Sequence, residues 1–322
     1  MLLMLNRKRT TGKKRSLWLA FFILITLIVP GCQSSDTPTV AQKMELVEEI
    51  KDFEQKLGFR STENFKTYSD ETEAYPYYFY TSVTELPYSL GDPRLQFGSG
   101  TPARGTLDSE KYDIYFYDIP VIAGIGTPVT KSLIRGPVST FIRLIFHEDW
   151  HEQIDLPLGI EEPSAEVISY IAAIQFAREE LGEDSAVYFY LRLYSSNRFR
   201  ESRIYAKYYN QLSALYERFH NGLISEAATL DEKAELFASL GDELEYVWGG
   251  KPDQMNNAFV AYQMTYLRHI AAMYQVYSAN DFDLAKTVAI FQAMPKQGDS
   301  FDSLDKIMDI EKQVIDYLKK NL

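Results

Sequence analysis

The chain has 322 residues, 46% hydrophobic, 24% charged and 14% aromatic, proportions that exclude wholesale disorder and collagen-like repeats. Its formal net charge of −12 excludes general binding to nucleic acid, which needs basic residues to displace counterions from phosphate. One or two domains around a sizeable core are predicted, with the 23 Tyr and 19 Phe supplying a tightly packed interior.

Arg7, Lys8, Arg9, Lys13, Lys14 and Arg15 precede an unbroken apolar run at 17–29, shorter than the roughly 20 residues of a membrane-spanning helix. This pattern predicts a secretory signal at 1–31, the alternative being an uncleaved N-terminal anchor. Gly31 directly before Cys32, the single cysteine, resembles the lipobox of bacterial lipoproteins, which implies that Cys32 is lipidated and becomes the N-terminus. Gln33 after it resembles the outer-membrane sorting pattern, implying a lipid-anchored protein of the bacterial cell envelope, facing the periplasm. Cleavage leaves 27 Lys+Arg against 45 Asp+Glu, a formal −18. No thiol then remains for a disulfide, so the fold must be stable through its core alone. Residues 32–40, mostly Ser, Asp, Thr and Pro, read as a flexible tether to a single folded domain at 41–322.

Within that domain, Met44, Val47, Ile50, Phe53 and Leu57 recur at three- and four-residue spacings and predict a helix at 42–57, closed by Gly58 as its C′ glycine. Aromatic, β-prone runs at 75–83 and 112–119 predict two strands, separated by a Gly-, Pro- and Ser-rich stretch around 91–105. Gly136 and Pro137 punctuate a helix start, and Phe141, Ile142, Ile145 and Phe146 form its apolar stripe. Pro157 and Gly159 break that helix. A second begins around Glu161 with Pro163 near its first turn. Beyond Ile171 the periodicity is helical, over 171–181, 185–222 (read as a helix pair with solvated basic residues), 230–240, 257–277 and 303–318. The fold class is therefore α+β. A small strand-rich part at about 70–135 packs on helices at about 138–180, and a mainly helical C-terminal half at about 185–322 closes a cleft between them. A strand edge in that cleft can align an extended peptide.

The helix that starts near Pro137 carries His147-Glu148-Asp149-Trp150-His151. Two imidazoles four residues apart project from one face, one turn apart, and can reach one cation. Zinc prefers nitrogen donors in tetrahedral geometry, and Glu148 sits where a carboxylate can serve as base. A zinc site needs a third protein ligand, and the run from Glu161 to Glu166 offers carboxylates on the next helix. Glu162 as ligand with Glu166 supporting a histidine makes chemical sense, and Glu161 competes for either role.

With the opening helix ELVEEIKDFEQKLGF, the strand YDIYFYDIP, the runs RLIFHEDWHEQ and IEEPSAE, and NNAFVAYQMTY at 256–266, the chain resembles the zinc-dependent aminopeptidases of bacteria. These are often lipoproteins and belong to the gluzincin peptidases. The resemblance implies one zinc per chain, His147 and His151 as ligands, Glu148 as general base and Glu162 as third ligand. It departs where the family has Asn-Glu and this chain has Glu161-Glu162. It departs again at Asp149 and Trp150, where the family usually has Leu and a small residue. Related peptidases stabilise the oxyanion with a Tyr or His from the C-terminal half; Tyr262, Tyr266 and His269 are the candidates, and Tyr266 is favoured. His220 has no constellation around it and reads as structural. An aminopeptidase also needs an acid for the substrate's α-ammonium, for which Glu161 and Asp149 are nearest. The implied partners are a peptide substrate and, through the N-terminal lipid, a membrane; a binding or scaffold module of the same fold is the alternative function.

Overall fold

The computed structural model describes residues 38–102, 106–122, 126–295 and 303–322; the expected signal sequence, Cys32 and the expected tether before Pro38 lie outside them. Helix α1, Val40–Leu57, buries Val47, Ile50, Phe53 and Leu57. It ends as its glycine predicts: Gly58 adopts φ 88°, its N–H donates to the Gln55 carbonyl at 3.1 Å, and the Phe59 N–H reaches back to Glu54 at 3.0 Å. This is the Schellman pattern, which satisfies carbonyls that a bare helix end leaves open.

Three strands follow, β1 at Tyr75–Ser82, β2 at Gln96–Ser99 and β3 at Tyr112–Ile119. They form an antiparallel sheet in the order β2-β1-β3. β1 and β3 lie where the aromatic runs predict them. β2 is an addition, within the stretch expected to be a connection. Gly98 sits opposite Tyr78, and a Cβ there would fall 2.3 Å from the Tyr78 hydroxyl, so this strand trades β-propensity for a glycine that lets the tyrosine lie across it. Phe79 and Tyr115 are buried on the inner face. That face rests on α7, Asn257–Leu267, through ring contacts of Phe79, Tyr115 and Tyr117 with Tyr262. The outer edge of β3 is already engaged. Gln254 accepts from the Phe116 N–H at 3.0 Å, and Asn256 donates to the Ile114 carbonyl at 2.7 Å, so an aligned peptide finds these two positions taken.

After a short helix α2, Lys131–Arg135, which the periodicity does not foretell, come α3 at Val138–His151 and α4 at Leu158–Phe176. α4 begins three residues earlier than expected, taking in Gly159 and leaving Pro163 in its second turn. Gly159 is required there: a Cβ would lie 2.0 Å from the Glu311 carboxylate. A π-helical turn, Ala177–Leu181, leads to α5, Ala186–His220, and α6, Glu226–Trp248. The expected helix pair at 185–222 is thus one unbroken helix of 35 residues, about 52 Å long at 1.5 Å per residue. The expected single helix at 257–277 is instead α7 and α8, Ile270–Ala279. The break at Arg268 and His269 is held from outside: the Arg268 guanidinium lies 3.8 Å from the Tyr88 ring centroid and 4.5 Å from that of Tyr209. Helices α9, Leu284–Gln292, and α10, Leu304–Lys319, complete the chain. No helix of the described residues is long and apolar enough to cross a membrane.

The α1 to α3 contact has a polar centre. Asp149 accepts from Lys51 and, at 2.7 Å, from the Thr62 hydroxyl, and Glu54 lies buried beside it. Burial, then the Asp149 charge, raise the Glu54 carboxyl well above its ordinary 4.5, while Lys51 works the other way. The folded chain holds a proton there that the unfolded chain releases near pH 4.5. This contribution to stability is therefore full below that pH and is lost as pH rises through the raised titration. Thermal unfolding of Glu54→Gln across about pH 4 to 8 is expected to lack that decline and to show a higher midpoint than wild type at neutral pH; an unchanged pH profile would remove the assignment.

Candidate metal centre

α3 carries His147 and His151 on one face with ring centroids 5.0 Å apart. Four residues before His147, on the same face, stands Arg143. α4 packs back against α3, and its register is pinned by the indole of Trp150, which donates to Ser164 Oγ at 2.8 Å while that hydroxyl donates to the Glu161 carbonyl at 2.7 Å. This clamp brings Glu161 and Glu162 to the two rings. Glu162 Oε2 lies 3.2 Å from His147 Nε2 and 3.6 Å from His151 Nε2. Donor atoms at about 2.0–2.1 Å around a tetrahedral ion lie about 3.3 Å apart, close to these two separations, and all three ligand atoms lie within 4.8 Å of one another. The group is buried or nearly so and could hold a metal ion.

Each ring turns its other nitrogen outward. His151 Nδ1–H donates to Glu161 Oε1 at 2.7 Å, which fixes Nε2 as the nitrogen with the free lone pair. His147 Nδ1 is buried without a hydrogen bond, with Glu166 Oε1 at 4.0 Å. Glu166 therefore supports that ring by charge across a gap. Its own hydrogen bonds come from Arg143 Nη1 and Arg198 Nε, both at 3.2 Å, and Arg198 also binds Glu201 at 2.9 Å. Arg198, unforeseen from the sequence, arrives from α5, and no local pattern announces it.

The electrostatics follow from this arrangement. Burial works against a charged His151, yet Glu162, the bond to Glu161 and nearby Glu148 outweigh it and raise the ring to about 10. His147 is pushed well below its ordinary value by burial and then by His151. Burial raises Glu162, with His151 and Arg143 opposing. Burial would also raise Glu166, but Arg198 and Arg143 hold it below the usual range. Without metal, then, a proton on His151 faces Glu161 and Glu162 while the two arginines face Glu166, and a divalent cation can take the proton's place.

Cavities open on both sides of the two rings. One, of about 350 Å³, is polar and takes in Arg143, Glu166, Tyr170, Arg198 and Glu201. The other, of about 400 Å³, is walled by Tyr77, Phe79, Leu90, Phe97 and Val121. His147, Glu148 and Tyr266 line both. The Tyr266 ring stacks on His147, 6.4 Å between centroids at 20°. Burial, then Glu162, raise its hydroxyl well above the ordinary value, so Tyr266 keeps its proton.

Other candidates lie elsewhere. Asp149 points into the α1 contact and is fully buried, so it is not an acid of the cleft. Trp150 is buried against Phe59 and Phe291. The two middle residues of the motif thus belong to packing. Glu161 is engaged by His151. His269 binds Glu311 at 3.2 Å, and half-exposed His220 lies near Glu85; neither approaches the centre. Comparison of the chain with protein-family models, with curated proteins and with solved structures finds no match.

Mass spectrometry of the native protein is expected to find one divalent metal ion per chain, lost in His151→Ala. Glu161→Ala removes a brace but no ligand atom and is expected to weaken metal binding about 10–100-fold in a chelator competition.

Proposed function

We propose that the chain is a zinc-dependent peptidase in which His147, His151 and Glu162 hold the metal and Glu148 is the general base. The observation that carries this reading is the convergence of two imidazole nitrogens and one carboxylate oxygen within 4.8 Å of one another, with Glu148 and Tyr266 lining the two adjoining cavities. When bound, zinc supplies Lewis acidity that polarises a carbonyl and acidifies a water molecule. Glu148 takes the proton of the attacking water and returns it to the leaving amine. The Tyr266 hydroxyl, kept protonated, donates to the carbonyl oxygen as negative charge gathers there. Glu161 holds His151 in the binding tautomer, and the apolar cavity excludes water from the reacting bond.

A peptide fits a centre flanked by one apolar and one polar cavity, because its side chains on either side of the scissile bond require separate space. The finer reading, an aminopeptidase, rests on the family resemblance. With Asp149 turned away and Glu161 bound to His151, Glu201 is the remaining carboxylate of the polar cavity beyond the histidine partners and Glu148. Lipidation at Cys32 would tether this activity to a membrane of the cell envelope, the outer membrane by the pattern at Gln33.

Glu148→Gln keeps size and hydrogen-bonding capacity while removing the base. It is expected to retain the metal and the melting temperature of wild type and to lose about 10²–10⁴-fold in kcat on peptide substrates. Full hydrolysis by that variant would falsify the assignment of Glu148. A metal-loaded wild type inert toward both aminoacyl amides and longer peptides would move the weight to a binding module.

A further inference from the structure

The geometry points to a row of exposed aromatic rings on α5 as the surface that holds the distal part of an extended polypeptide whose scissile bond lies at the metal centre. This rests on the peptidase reading and names its substrate class: unfolded chains rather than very short peptides.

Trp248, the last residue of α6, is half-buried and lines the polar cavity together with His147 and Glu148. Its ring stacks on Tyr194, 6.0 Å between centroids at 29°. Tyr194 stacks in turn on Tyr190 at 6.1 Å and 21°, and Phe189 closes the row edge-on at 5.5 Å. The row is therefore continuous with a cavity of the candidate site. It also runs onto open surface: Tyr194 is 37% exposed, Tyr190 45% and Phe189 61%. None of these three belongs to the buried hydrophobic core. Single exposed rings are ordinary, whereas a contiguous series outside the core marks a binding surface.

The spacing identifies the occupant. An extended chain rises about 3.3 Å per residue and turns alternate side chains to the same side, so same-side groups recur at about 6.6 Å. The steps of 6.1 and 6.0 Å along the row let successive same-side groups of a peptide each rest on a ring. Rigid aromatic side chains are well suited to such contacts, losing little rotamer freedom on binding. Binding energy collected away from the reacting bond favours long substrates over short ones.

The test uses the full-length zinc-loaded protein in detergent, with a fluorogenic dodecapeptide and a tetrapeptide sharing the same scissile pair. Wild type is expected to prefer the dodecapeptide in kcat/KM. In Tyr190→Ala/Tyr194→Ala that preference is expected to fall about tenfold, through KM. An equal preference in the double variant overturns the row and leaves the peptidase reading intact. If wild type turns over neither peptide, fluorescence anisotropy of labelled dodecapeptide decides: binding lost in the double variant upholds the row while the peptidase reading falls, and equal binding, or none to either protein, overturns the row. Binding to vesicles of anionic phospholipid that is lost in the variant, with peptide binding unchanged, would overturn the row as a peptide surface and assign the rings to a membrane instead. Equal melting temperatures by circular dichroism exclude misfolding as the cause.

Discussion

Six ionisable side chains, His147, Glu148, His151, Glu161, Glu162 and Glu166, share a water-poor space between two packed helices. Four of them are acids. Carboxylates confined in this way must be neutralised, because each uncompensated charge in a protein interior costs about several kcal/mol. Two sources of positive charge answer them, and they lie on opposite sides. Arg143 and Arg198 approach Glu166 from behind; a proton on His151, or a cation at the three convergent ligand atoms, serves the front. The arginines are thus part of the same electrostatic solution as the metal ligands. They keep Glu166 ionised 4.0 Å from the His147 ring without allowing it to compete as a fourth ligand.

Such a centre depends on holding α3 against its neighbours, and the two middle residues of the histidine motif do so. Asp149 and Trp150 stand between the catalytic candidate and the second histidine, and a helix turns both away from the face that bears the rings. Trp150 reaches Ser164 and fixes the first turns of α4. Asp149 reaches Lys51 and Thr62 and fixes α1. Both side chains set what the helix leans on and leave its histidine-bearing side alone. Glu161 differs in kind, since its carboxylate accepts directly from His151 and makes that imidazole a stronger donor.

The features legible in the sequence are those that depend on local periodicity. The i,i+4 histidines, the Gly58 cap, the two aromatic strands and the amphipathic first helix each follow from residues a few positions apart. The rest depends on distant contacts. β2 is invisible because Gly98 is dictated by Tyr78 across the sheet. The interruption between α7 and α8 lies in an unbroken helical periodicity, at Arg268 and His269, and is imposed by Tyr88, Tyr209 and Glu311. The charge and tyrosine content of α5 suggest a solvated hairpin, yet no glycine or proline interrupts 186–220, and a helix without a breaker has no reason to turn. Arg198 belongs to the centre only because that helix is long enough to pass behind it.

The tyrosines follow the same logic of position. Composition alone assigns them to a packed interior, and Tyr115, Tyr205 and Tyr262 do lie there. Others have two environments at once, which is the physical use of a ring with a polar tip. Tyr266 packs its ring on His147, and its side chain lines both cavities beside the two histidine rings. The inner face of the sheet, α7 and the histidine-bearing helix therefore meet through aromatic rings, beside the bonds that Asn256 and Asn257 make to the sheet and its flanks. The cleft wall is stiff for that reason: each ring is held by the next, from Phe79 through Tyr262 to Tyr266. A hydroxyl carried on such a stack is pre-positioned, and in the proposed mechanism it needs no reorganisation as charge develops on a bound carbonyl.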